Sequence, residues 1–162
     1  MDILLLRHGK AGKRKEYQGN DLFRPLTDEG IQDLILIAGW IRGRLQDPDV
    51  IATSPLTRAS QTAEIVANEL QLGSPIETWD ELSPGNDAES VLRRLEKVQE
   101  DGTIMLVGHE PDLSTFGAFV LTGRNDAFFT LSKGGLAVLK DINPGKAGSG
   151  SLYLLMPSRM MR

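Results

Sequence analysis

The chain has 162 residues, 40% of them hydrophobic, which suits one domain of the usual size, about 100–200 residues, spanning 1–162. A formal net charge of −4 speaks against a nucleic-acid binder, which needs a concentrated basic surface. No cysteine occurs, so disulfides, thiolate catalysis and cysteine-held zinc are excluded; the segment from Met1 to Arg7 lacks a signal-peptide pattern and no run of about 18 apolar residues follows, so a soluble cytoplasmic protein without membrane contact is expected.

Ile3 to Leu6 is a short aliphatic run that ends in Arg7-His8-Gly9 and reads as a buried strand. The basic cluster Lys10, Lys13, Arg14 and Lys15 follows, either as a solvated loop or as an attractor for an anionic substrate. Thr27 then reads as the N-cap of a helix whose apolar stripe is Ile31, Leu34, Ile35, Ala38, Ile41 and Leu45. Val50 to Thr53 is a second strand. It runs into Ser54-Pro55, where a helix begins with the stripe Leu56, Ala59, Ala63, Val66, Ala67 and Leu70. A third helix, preceded by Asn86, carries Ala88, Val91, Leu92, Leu95 and Val98. The third strand, Thr103 to Val107, empties into Gly108-His109-Glu110-Pro111, and a fourth helix from Pro111 carries Leu113, Phe116, Gly117, Val120 and Leu121. Gly135 to Leu139 and Leu152 to Met156, joined by the Gly-rich stretch 143–150, read as a closing pair of strands, antiparallel to each other. Trp40 reads as core or helix-packing surface, and Phe116, Phe119, Phe128 and Phe129 as core or pocket wall. Strands alternating with helices predict a three-layer α/β sandwich with a mainly parallel, mixed sheet covered by helices on both faces.

Ligands of such sheets gather at the carboxyl ends of the strands. There the chain places Arg7, His8 and Gly9 after the first strand, Ser54 to Arg58 after the second, and His109 after the third. Arginines and imidazoles around one point make a pocket for a dianion, because a guanidinium pairs two of its N–H groups with phosphate oxygens. Helix N-termini near Pro55 and Pro111 would add backbone donors. With an ordinary pKa of about 6.5, histidine keeps a free ring nitrogen on most molecules at neutral pH, and His8 is the best candidate nucleophile. Gly9 beside it would let the backbone bend and a phosphoryl group approach.

Arg7-His8-Gly9, the segment Arg24-Pro25-Leu26-Thr27 with Gly30, the run from Ser54 to Ala63, and Gly108-His109-Glu110-Pro111 together resemble the histidine phosphatase superfamily over residues 1 to about 156. Within it the chain is similar to the short SixA-type phosphohistidine phosphatases. Only about 45 residues separate Arg58 from the third strand, too few for the large helical insertion of phosphoglycerate mutases. The resemblance implies a phosphoglycerate mutase-like fold and a phosphatase that works through a phosphorylated His8. It makes Arg7, Arg58 and His109 the phosphate clamp, Arg24 a further substrate contact and Ser54 a donor near the phosphate. Guanidinium and imidazolium charge takes the place of a metal, so neither metal nor cofactor is expected.

Many members of the superfamily protonate the leaving group with an acid after the second helix. Asp80 and Glu81 stand there, and Glu81 is preferred, although short members show a Leu-x-Pro pattern at this place without an evident acid. A labile P–N bond needs less acid assistance than an alkyl ester, so the expected substrate is phosphohistidine on a protein such as a phosphorelay domain. The alternatives are a small phosphorylated metabolite and a catalytically retired phosphate-binding domain.

Overall fold

The aliphatic runs become the centre of a six-stranded sheet in a computed structural model that describes residues 1–73, 75–98 and 102–162. The strands are β1 (Asp2–Arg7), β2 (Val50–Thr53), β3 (Ile76–Thr78), β4 (Thr103–Gly108), β5 (Leu136–Lys140) and β6 (Ser151–Met156). They lie in the order β3-β2-β4-β1-β5-β6. The first four are parallel; β5 runs antiparallel to β1, and β6 antiparallel to β5, as the closing pair required.

Helices α1 (Asp28–Ile41), α2 (Thr57–Leu70), α3 (Ala88–Leu95) and α4 (Asp112–Thr122) cover both faces. Alternation along β1 divides the core. Leu4 and Leu6 pack with Leu34, Ile37 and Ile41 of α1 and with Ala63 and Val66 of α2, while Ile3 and Leu5 face Val91 and Leu95 of α3 and Phe116 and Val120 of α4. This is the expected three-layer sandwich with a mixed sheet.

Several local expectations are corrected. The exposed three-residue edge strand β3 has no aliphatic run to announce it, and Trp79 just after it is a core residue of the α3–α4 face. Helix α1 stops at Ile41, not Leu45, because Gly43 turns the chain with φ +73°. Its fully buried face includes Ile37, with Ile35 only half-buried. The cap of α3 is Asp87, which accepts from Ser90 N at 2.7 Å, and Asn86 lies one residue outside. Phe116 and Phe129 are core, but Phe128 is 57% exposed, at the end of a polar loop that faces water.

Candidate active site

Strand order brings the chemistry together. β2, β4 and β1 are adjacent and parallel, and β4 lies between the other two, so Thr53 pairs with Val107 and Arg7 with Gly108. The chain continues in register past the strand ends: His8 N donates to Gly108 O at 3.0 Å and Ser54 N to Val107 O at 3.0 Å. Arg7, His8, Ser54 and His109 therefore leave the sheet at one level, and Arg58 reaches the same place from the first turn of α2. All but Ser54 meet in an open pocket lined by Arg7, His8, Arg24, Arg58, His109 and Lys133, among others.

His8 is oriented by its own neighbour. Its Nδ1 lies 2.7 Å from Gly9 O, and a carbonyl only accepts, so Nδ1 carries the ring proton and the lone pair sits on Nε2. Arg58 Nε donates to that Nε2 at 3.3 Å. Burial pushes His8 down to about 3, opposed by the Gly9 hydrogen bond and reinforced by His109, Arg58 and Arg7. His109, with its ring centroid 5.1 Å away, is pushed down to about 4, by burial first and then by Arg58. Both imidazoles are neutral at pH 7, so the expected imidazolium is not part of the site's charge. The cations nearest the imidazoles include the guanidiniums of Arg7 and Arg58, both lowered from their ordinary value by burial, and Arg24 also lines the pocket.

Each guanidinium is held on one side. Arg7 Nη1 donates to Leu131 O at 2.8 Å while its buried Nε has no partner among the described residues. Arg58 and Arg24 share Asp21: Arg58 Nη2 stands 3.2 Å from Oδ2 and Arg24 Nε 2.7 Å from Oδ1, with Arg14 Nε at 3.1 Å from the same oxygen. The Arg24 hydrogen bond, ahead of the other cations, holds the Asp21 carboxyl below its usual range. Arg24 is otherwise fixed by the carbonyls of Ala11 and Gly12. Asp21 had no signal of its own in the sequence: it precedes Arg24 by three residues in a loop, and its value comes from what the fold brings to it.

The other expected residues separate. Ser54 is fully buried behind the pocket, its Oγ 2.9 Å from His109 Nε2, so it braces His109 rather than facing the cleft. Glu81 opens onto a small hollow on the other side of His109, shared with Asn86, Ala88 and Phe116, and does not line the pocket of His8; Asp80 is exposed. The basic cluster divides: Lys13 and Arg14 line the pocket, whereas Lys10 pairs with Glu29 and Asp33 on α1. Lys133 was missed by sequence reasoning, being a lone lysine in a Ser-Gly loop. Burial and then Arg7 lower its pKa.

Glycines near the site answer to packing. A Cβ on Gly9 would lie 2.8 Å from Leu34 Cδ1 and 3.2 Å from Leu26 Cδ2, so the missing side chain lets the turn after β1 press onto α1 rather than clearing space for a phosphoryl group. A Cβ on Gly30 would strike the Lys10 carbonyl, which itself accepts from Thr27 N at 2.9 Å; this close approach docks the same turn on the start of α1. Gly9 N also donates to Thr62 Oγ1 of α2 at 3.1 Å. The backbone around His8 is thus fixed against both helices of that face. Among the described residues no group of three His, Asp or Glu side chains is placed to hold a metal ion, and no helix is long and apolar enough to cross a membrane.

Comparison with known proteins agrees with this geometry. Residues 3–84 match the model of the histidine phosphatase superfamily (branch 1). The chain is 31% identical over 134 residues to the phosphohistidine phosphatase SixA of Escherichia coli, covering 82% of this chain and 81% of that one. It is 30% identical over 138 residues to a SixA homolog of Haemophilus influenzae, covering 80% and 82%. Among solved structures, the protein histidine phosphatase SixA complexed with tungstate superposes with a TM-score of 0.83 at 27% identity, over 100% of both chains. A phosphohistidine phosphatase SixA candidate from Agrobacterium tumefaciens gives 0.76 at 25%, over 96% of each. Family model, relatives and sheet topology agree, and the chain belongs to the histidine phosphatase superfamily as an enzyme of short, SixA-like build.

Proposed function

We propose that this phosphatase removes the phosphoryl group from phosphohistidine on a protein, in the cytoplasm and without a metal, by way of a phosphorylated His8. The observation that carries the reading is the state of His8. Its imidazole is buried and neutral, its one ring proton is engaged by Gly9 O, and its Nε2 lone pair lies against a guanidinium.

The reaction follows from those contacts. A phosphoryl dianion entering the pocket draws the Arg58 Nε–H from His8 Nε2 to one of its oxygens and so releases the lone pair. Nε2 attacks phosphorus in line; the Nε2–P bond forms as the P–N bond to the substrate imidazole breaks, and that imidazole leaves with the electron pair. When its other ring nitrogen carries a proton it departs as a neutral molecule, so no acid of the enzyme is needed. Arg7 and Arg58 neutralise the charge on the equatorial oxygens with His109 beside them, and Arg24 extends the positive wall. Ser54 acts through His109 as a positioning residue, and Glu81, outside the pocket, is given no proton to move. Water then attacks phosphorus on His8, releasing inorganic phosphate and the neutral imidazole.

The likeness to SixA, one structure of which holds the tetrahedral oxyanion tungstate, supports the substrate chemistry. The open pocket supports a side chain presented by another protein. The test is phosphate release in EDTA from a phosphohistidine peptide and from a small aryl phosphate, by the wild type and by His8→Ala. Release by the wild type alone, faster from the peptide, is the expected result; preference for the aryl phosphate would make the substrate a small metabolite, and no release from either would leave a phosphate-binding domain.

A further inference from the structure

The pocket of His8 does not end at Arg7. A second, shallower cleft continues from its far side, lined by Thr130, Leu131, Ser132, Pro157 and Arg159, and Arg7 and Glu110 belong to both. Its two walls are fastened to each other, since Ser158 N donates to Ser132 Oγ at 3.1 Å. They are also fastened to the nucleophile's strand: Leu131 O accepts from Arg7, and Gly134 N lies 3.1 Å from the carbonyls of both Arg7 and His8.

Apart from Asp21, which is taken up by Arg14, Arg24 and Arg58, the exposed charge along this double cleft is positive. Lys133 stands at the pocket end and exposed Arg159 on the turn Ser158–Met160 at the other. Among the described residues neither has a carboxylate within ion-pair distance, whereas Lys10, Lys13, Arg14 and Arg24 are all paired. Glu110, the carboxylate on the shared floor, is turned inward: Oε1 is buried and Oε2 accepts from Ser114 Oγ at 2.9 Å. Hydroxyls and apolar side chains between two unpaired cations suit an extended chain with acidic side chains better than a compact metabolite.

We propose that the cleft from Lys133 to Arg159 is the docking groove for the polypeptide that flanks the phosphohistidine, and that it selects substrates with acidic residues beside the phosphorylated histidine. This rests on the protein-substrate reading above and adds the partner's chemistry to it.

The test uses two phosphohistidine peptides, one with Asp and Glu beside the phosphohistidine and one with Asn and Gln in their place, and a small aryl phosphate. The wild type should favour the acidic peptide by about fivefold in kcat/KM, the worth of a rim ion pair of about 1 kcal/mol, through KM and fading with salt. Arg159→Glu should abolish or invert that preference and leave aryl phosphate turnover unchanged, and Arg159→Lys should restore it. Equal loss on all substrates, or an acidic preference untouched by Arg159→Glu, would overturn the groove. Wild type that cleaves the aryl phosphate and neither peptide would instead overturn the protein-substrate reading, and the groove with it.

Discussion

The same strands look different at their two ends. In the body of β1 and β4, Ile3, Leu5, Leu6, Leu106 and Val107 are apolar and sealed between helix layers, and the one buried polar side chain at the opposite end of β4 is Thr103, whose Oγ1 has no partner among the described residues. One to three residues further on, Arg7 Nε, His109 Nδ1 and Glu110 Oε1 are buried without a partner among the described residues, and cations crowd around neutral imidazoles. Unpartnered buried polar atoms cost about 1–3 kcal/mol each, so the carboxyl end of the sheet is held in place by the body rather than contributing to it. A phosphoryl dianion could accept from the donor Arg7 Nε, and from His109 Nδ1 where that nitrogen carries the ring proton, whereas the acceptor Glu110 Oε1 needs a donor.

Substitutions at the two ends should therefore separate activity from stability. His8→Ala is expected to lower phosphate release by at least about 10⁴-fold without lowering the urea midpoint; a midpoint drop of core size would erase the distinction. Arg58→Ala should cost about 10²–10³-fold in kcat/KM, with Arg58→Lys recovering only part, since a lysine cannot reproduce the forked contacts. In the opposite sense, Leu5→Ala should cost about 2–5 kcal/mol in urea unfolding, while the protein that remains folded keeps its kcat/KM.

The pH dependence gives the finest comparison. Unfolded, His8 and His109 titrate near 6.5; folded, they sit at about 3 and about 4. Between those values the unfolded chain binds protons that the folded one refuses, so their contribution is full above pH 6.5 and declines as pH falls toward 3. Urea midpoints measured from pH 7.5 to 4.5 should fall, and His8→Asn should flatten the slope. An unchanged slope would mean that His8 is not held neutral by the fold.

The sequence carried more of the site than of its surroundings. His8, Arg7, Arg58 and His109 could be read because each follows an aliphatic strand within a short distance, and strand ends of a parallel sheet converge. Asp21 and Lys133 could not, because they sit in loops with no period and their importance comes from long-range neighbours. Ser54 and Glu81 were placed on the correct strand end and loop, but which way a side chain turns depends on packing: Ser54 turns inward to His109, and Glu81 lies across it. In the fold, the buried stripes of α1, α2 and α4 announced themselves, while β3, exposed and three residues long, had no apolar pattern to show.

The most direct test of the central claim is to quench wild type during turnover of a phosphohistidine peptide in EDTA and look for phosphate on the enzyme by ³¹P NMR. A phosphoramidate on His8 Nε2, acid-labile and base-stable and missing in His8→Ala, is the predicted result. Phosphate release with no such adduct under conditions that trap it, or an adduct on another residue, would contradict the account.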